Sequence, residues 1–184
     1  RAILFVTDGG KALKKAIRKV FGVEAPIQRC VRHKERNVIG YLPKANHMEF
    51  RRRWKKLHGN VNYNLAKKEH QELLDWLGEI NDAAMVSLKE ADQETLTVIK
   101  LSVPALLKKT LLSTNPIESA FSVVEYKTRR VKNWKSGTDQ ASRWAASALL
   151  EAEKKFRKVK GFKEIEVLVE ALSKLNVVTQ KIAA

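Results

Sequence analysis

The 184-residue chain has little of what marks a secreted or membrane protein. It holds one cysteine, so it cannot form an internal disulfide and needs no oxidising compartment. Charged residues interrupt every apolar run well short of the roughly 18 to 20 residues that cross a bilayer. The N-terminus has no signal-peptide pattern. These absences predict a soluble, cytoplasmic protein without a membrane partner.

Acidic residues are scarce, and the basic excess is unevenly distributed. The chain has 36 Lys and Arg against 20 Asp and Glu, a formal charge of +16. Residues 1–68 hold 18 against 4, residues 69–94 hold 1 against 8, and residues 95–184 hold 17 against 8. Two basic segments therefore flank an acidic one, which predicts a nucleic-acid partner, because Lys and Arg displace the counterions condensed on phosphates. The alternative is a charged surface that serves solubility.

The first quarter of the chain has an α/β pattern. The apolar run Ala2–Thr7 predicts a buried strand, and the Asp-Gly-Gly that follows it predicts a tight turn. Apolar residues at helical spacing then predict a helix over 11–21. Residues 26–30 predict a second short strand, and a second helix is predicted over 31–42. A crossover helix joins parallel strands, so this region resembles one edge of a mostly parallel sheet.

The rest of the chain is predicted to be helical. The expected helices cover residues 47–57, 64–91 with breaks, 104–110, 116–131, 139–159 and 163–175, and the run 96–103 is ambiguous. Trp54, Trp76 and Trp144 lie on apolar stripes and are predicted to be core residues. The predicted fold class is thus α/β and mostly helical.

Two carboxylates occupy positions of chemical interest, each with a plain structural alternative. Asp8 ends the first strand, where ligands gather in open α/β sheets, although an Asp there can simply bond its own turn. Glu118 follows Asn115 and Pro116, a pattern typical of a helix start. With Asn115 as the cap, Glu118 would reach back to the cap amide.

Two further clusters could bind ligands. Cys30 and His33 form a C-x-x-H pair, but structural zinc needs four ligands, so a buried thiol and a helix-start histidine are the favoured interpretation. A second cluster groups basic residues around one aromatic and could clamp phosphates while the aromatic stacks on an unpaired base. It consists of Lys127, Arg129, Arg130, Lys132, Trp134 and Lys135. The alternative places Trp134 in the core beneath a solvated face.

Several segments, in order along the chain, resemble the Mutator-type family of bacterial insertion-sequence transposases. The matching stretches are Val6-Thr7-Asp8-Gly9, Gln28-Arg29-Cys30-Val31-Arg32-His33 with Arg36-Asn37 after it, Ser113-Thr114-Asn115-Pro116-Ile117-Glu118-Ser119, and Arg143-Trp144. Any one of them is weak evidence, but the ordered set is specific. The resemblance implies an RNase H-like DNA transposase with an Asp-Asp-Glu metal site.

The resemblance also implies roles and domains. Asp8 corresponds to the second Asp and Glu118 to the Glu, and together they would bind two Mg²⁺ or Mn²⁺ ions. The family's first Asp lies upstream of Arg1, so the chain is expected to be the C-terminal part of a catalytic domain, inactive alone. The expected domains are an RNase H-like edge at 1–44, a helical insertion at 45–105 and a returning region at 106–184 that bears Glu118.

The expected function is metal-dependent cleavage and transfer of DNA strands at insertion-sequence ends, by a homo-oligomer assembled on DNA. One alternative is a non-catalytic DNA-binding remnant of a transposase. Another is a basic helical interaction protein, in which both carboxylates are only turn and cap residues.

Overall fold

The structure, a computed structural model, describes residues 3–182, and their side chains as far as residue 175. Ala2, where the first strand was predicted to begin, lies outside the described residues. The described chain is mostly helical with two parallel strands, as predicted from the sequence. It divides into two compact units, Arg1–Ser113 with Lys160–Ala184, and Thr114–Val159. The predicted domain boundaries stay predictions.

Helices account for nearly all regular structure. In chain order the elements are β1 (Phe5–Thr7), α1 (Lys11–Phe21), β2 (Ile27–Arg29), α2 (Val31–Ile39), α3 (His47–Gly59), α4 (Tyr63–Ile80), α5 (Asp82–Glu90), α6 (Thr97–Lys100), α7 (Ala105–Leu111), α8 (Asn115–Thr128), α9 (Gln140–Glu153) and α10 (Ile165–Ile182). The ambiguous run 96–103 is therefore helical at its centre. No helix among the described residues is both long and apolar enough to span a membrane.

The two strands pair in parallel, with Phe5 opposite Ile27 and Thr7 opposite Arg29. Helix α1 makes the crossover between them, as the α/β pattern predicts. Both strands are shorter than predicted. Buried Gln28 ties β2 to α6 and to the chain just before it, since its Nε2 donates to Thr95 O at 3.0 Å and its Oε1 accepts from Val98 N of α6 at 2.9 Å. The helical segment after α5 thus returns to the edge of the sheet.

The main core of the first unit lies among α2, α3, α4 and α5. Phe50, Trp54 and Leu57 of α3 are buried there, and Trp76 of α4 packs against the cluster partly exposed. The predicted break within 64–91 falls at Asn81, whose side-chain oxygen accepts from Ala84 N at 3.0 Å. An asparagine side chain that caps a helix start in this way begins a new helix, which explains why α4 and α5 are separate.

The second unit is a pair of helices, α8 and α9, that buries little. Its buried apolar residues are alanines: Ala120 on α8, with Ala148 and Ala152 on α9. Trp144 lies on the same stripe of α9 but is 45% exposed, so its assignment to the core was wrong. A stripe of apolar residues indicates which face of a helix packs against its neighbours, but it does not show how much of each side chain is buried. Buried contacts made by small alanine side chains cannot cover a ring as large as that of Trp144.

His58 gives the first unit an acid-sensitive core. Burial lowers the pKa of His58 to about 4, although its Nδ1 lies within 3.0 Å of Trp54 O. The unfolded chain takes up this proton near pH 6.5, whereas the folded chain takes it up only near its lower pKa. The stability contributed by neutral His58 is therefore complete above pH 6.5 and is lost as pH falls toward 4.

The expected loss is large enough to measure. A pKa difference of roughly 2.5 units corresponds to about 3 kcal/mol, and burial also lowers the pKa of His70, which acts in the same direction. We expect thermal denaturation to show a lower Tm at about pH 4.5 than at about pH 7, and a smaller difference in His58→Gln. An equal decrease in Tm for both proteins would contradict the assignment to His58.

Candidate functional site

Asp8 follows β1 directly and is exposed to solvent. Its Oδ1 accepts a hydrogen bond from Gly10 N at 3.0 Å, so the turn interaction considered from the sequence is present. That bond occupies one carboxylate oxygen and does not remove the side chain from solvent. Asp8 is therefore a turn residue whose position at the carboxyl end of a parallel strand also suits a ligand.

Position 9 requires a glycine, because the Arg29 side chain occupies the space that any other side chain would need. Gly9 has φ +97°, and a Cβ built on it would lie 1.5 Å from Arg29 Cζ. The guanidinium of Arg29, at the end of β2, thus lies against the backbone of the turn after Asp8. The sequence stretches around Asp8 and Cys30 contain both residues, but nothing in them predicts this contact.

A carboxylate on α5 holds two buried cations beside this turn. Glu90 accepts from Arg29 Nη2 at 3.1 Å and from Lys34 Nζ at 2.7 Å, and Lys34 Nζ also donates to Ser87 O at 2.7 Å. Burial lowers the pKa of Lys34 despite its hydrogen bond to Glu90. Burial would raise the pKa of Glu90, but Lys34 and Arg29 outweigh it and lower that pKa. This Arg29–Glu90–Lys34 network fixes α2 and α5 to the end of β2.

Cys30 and His33 lie at the turn from β2 into α2. Cys30 is fully buried, and its backbone N donates to Thr7 O at 2.7 Å, which joins the ends of the two strands. His33 Nδ1 lies 3.2 Å from Cys30 Sγ. The predicted buried thiol is confirmed, and both residues help to hold the strand-to-helix turn.

Glu118 is exposed in the first turns of α8, in the second unit. The helix begins at Asn115, so the N-cap residue is Thr114, one residue earlier than the cap predicted at Asn115. The Thr114 hydroxyl donates to the Glu118 carboxylate, and Glu118 N donates to Thr114 O at 3.0 Å. Thr114 therefore orients a carboxylate that remains open to solvent. Asp8 belongs to the first unit and Glu118 to the second.

The basic cluster lies at the end of α8 and in the loop before α9. Lys127 Nζ pairs with Glu151 Oε2 at 2.8 Å, and this hydrogen bond raises the pKa of Lys127. Arg129 lies over the Tyr126 ring, 4.4 Å from its centroid. Arg130 and Lys132 are exposed and have no acidic partner within residues 3–175.

The loop of the cluster has local order. Lys135 N donates to Gln140 Oε1 at 2.8 Å, and Thr138 Oγ1 donates to Lys135 O at 2.8 Å. Trp134 is 42% exposed, which favours the stacking interpretation over a core anchor. The loop thus presents cations and one aromatic ring to solvent.

Comparison with known proteins gives one match. The family model described as "Transposase, Mutator family" matches residues 2–158, which include Asp8, Glu118 and the whole basic cluster. No curated protein and no solved structure matches the chain.

Proposed function

Since the chain belongs to the Mutator family of transposases, we propose that it carries two of the three carboxylates of an Asp-Asp-Glu transposase. In this proposal β1, β2 and their helices are part of an RNase H-like core. The partner is DNA at the ends of an insertion sequence, the active form is a homo-oligomer on DNA, and the compartment is the cytoplasm. The observation that carries the proposal is the family match across both Asp8 and Glu118.

The side chains fit the metal that this chemistry uses. Asp8 and Glu118 offer hard oxygen donors, both are exposed, and each is oriented by a hydrogen bond, to Gly10 and Thr114 respectively. Two bound Mg²⁺ or Mn²⁺ ions would activate the attacking oxygen and stabilise the leaving one. The contribution of the chain is to position the ligands and the DNA, so no Ser-His or Cys-His nucleophile is needed.

A second candidate function is DNA binding without catalysis. The observation that favours it is the exposed cationic loop of the second unit, where Arg130 and Lys132 are not neutralised within residues 3–175. By the family resemblance the first Asp lies outside residues 1–184. We therefore propose that these residues alone bind DNA and cleave none, and the readouts of binding and cleavage separate the two functions.

The basic cluster should bind DNA through backbone phosphates. We expect the logarithm of affinity for a short duplex to fall linearly with the logarithm of salt concentration, by about 0.9 per phosphate contacted. Replacing Arg129, Arg130 and Lys132 with Gln should reduce this slope by up to about three units and weaken all sequences alike. Fluorescence anisotropy over a salt series measures both effects.

The matched control removes the same charge elsewhere. Arg51, Arg52 and Lys68 are exposed on α3 and α4, where each has an acidic partner. Their replacement with Gln should leave the slope nearly unchanged. A cluster variant that binds like the unchanged protein would show that the loop is only a solvated surface.

A further inference from the structure

A cationic cavity lies beside the turn after Asp8, entirely within the first unit. It has a volume of about 680 Å³, and its walls come from Gly9 and the start of α1, the end of β2, α2 and α5. Its polar lining consists mainly of Lys11, Arg29, Lys34, Arg36, Asn37 and Glu90. We call it the α2–α5 cavity.

The charges around the cavity do not cancel. Four cations line it against one carboxylate, Glu90, which is already bonded to Arg29 and Lys34. Lys11 and Arg36 are exposed and have no acidic partner in the part of the chain that the structure describes. A concave site with uncompensated positive charge selects an anionic ligand.

A buried cation in the wall adds to this positive charge. Arg29 is 4% exposed, and its Nε has no hydrogen-bond partner among the described residues although its two terminal nitrogens bond Glu90. The Arg29–Glu90–Lys34 network therefore provides a rigid, positively charged wall, and Nε itself is buried beside the backbone of Gly9.

We propose that the α2–α5 cavity binds one backbone phosphate of the DNA strand that passes Asp8. This inference rests on the proposed function and adds a positioning site to it. Arg36 and Lys11 donate to the phosphate oxygens, and the Asn37 amide adds a neutral donor. The exposed ring of Tyr41, at the cavity rim, packs against the adjoining sugar.

The position of the cavity explains its use. Gly9 lines it and follows Asp8 directly, so a phosphate held there lies close to the phosphodiester at Asp8. A phosphate contact fixes the register of a strand without reading its sequence. The cavity therefore sets which bond of the strand is presented, and the metal ligands act on that bond.

Arg36→Gln tests the proposal in the chain as it stands. We expect affinity for a short duplex to fall about tenfold and the salt slope to decrease by about 0.9. The control is Arg52→Gln, whose guanidinium is bonded to Glu49 on the surface of α3, and it should change neither quantity. Both side chains are exposed, so both variants should melt like the unchanged protein.

A second measurement separates direct contact from general attraction. Duplexes in which one phosphate at a time is a neutral methylphosphonate should reveal positions that weaken binding of the unchanged protein. At one of those positions Arg36→Gln should show no further loss, because the contact is already absent. If the loss of affinity from Arg36→Gln adds to the loss from the methylphosphonate at every position, the proposal is overturned.

The outcomes distinguish this inference from the proposed function. If the cluster variant loses its salt slope while Arg36→Gln does not, the cavity is not a phosphate site, and the proposed function remains. If the unchanged chain binds no DNA, both proposals fail.

Discussion

Asp8→Asn is expected to abolish metal-dependent strand cleavage while leaving DNA affinity nearly unchanged. This substitution changes the charge without disturbing the turn, because the Asn side-chain oxygen can still accept the hydrogen bond from Gly10 N. The change removes the negative charge that a hard cation needs. A loss of about a thousandfold or more is expected, on the scale of electrostatic contributions to catalysis.

Glu118→Gln should give the same loss for the same reason. Glutamine keeps an oxygen that accepts from the Thr114 hydroxyl, so the start of α8 is retained. The matched control is Glu125→Gln, an exposed carboxylate two turns later on the same helix, which should retain full cleavage. The assay uses the longest natural chain that contains residues 1–184, because the proposed function needs a third carboxylate besides these two.

Cleavage and affinity must be measured on the same insertion-end duplex in Mg²⁺ and Mn²⁺. Retained cleavage in either variant would remove that residue from the metal site. Loss of cleavage together with loss of affinity or a lower Tm would instead indicate a structural role for the carboxylate.

The elements of the fold could be predicted where their signals are local. The strand β2 and helices α1 to α4 follow from local apolar patterns. A break within 64–91 was expected, but only the structure places it at Asn81, whose side chain caps the start of α5. Strand lengths could not be predicted, because pairing ends where the partner strand ends and not where apolar residues do. Thus β1 begins only at Phe5, which pairs with Ile27, and the apolar residues Ile3 and Leu4 lie outside the paired strand.

The candidate site was predictable only in part. Asp8 and Glu118 were singled out because a turn and a helix start leave local patterns, and their role as metal ligands stays a prediction. The Arg29–Glu90–Lys34 network was missed because its partners are 61 and 56 residues apart along the chain. Helical periodicity placed Trp144 on an apolar face, but it could not show that the fully buried apolar side chains of α8 and α9 are all small alanines. Contacts between distant side chains depend on tertiary packing, which no local pattern contains.

Gly9→Ala should destabilise the first unit more than any other single-methyl change near Asp8. An alanine at φ +97° is strained by roughly 1 to 2 kcal/mol. Its Cβ would also displace the Arg29 guanidinium and break a largely buried ion pair, which costs about 3 to 5 kcal/mol when both partners are dry. Glu90 is 39% exposed, so water screens the pair and the lower end applies.

The backbone strain and the lower end of the ion-pair cost add up to about 4 to 5 kcal/mol, a decrease in Tm of roughly 8 to 20 °C for a chain of this size. Gly10→Ala is the control, because Gly10 has φ −54° and its Cβ would lie 3.6 Å from Asp8 Oδ1, an ordinary contact. It should melt within about 0.5 kcal/mol of the unchanged protein.

Arg29→Ala identifies the cause of the Gly9→Ala effect. If the alanine methyl acts by displacing the guanidinium, adding Gly9→Ala to Arg29→Ala should cost only the backbone strain, about 1 to 2 kcal/mol. Full additivity of the two losses would mean that Arg29 does not lie against Gly9. Since Gly9 joins Asp8 to the wall of the α2–α5 cavity, the same variant should also weaken DNA binding at salt concentrations and temperatures where it is still folded.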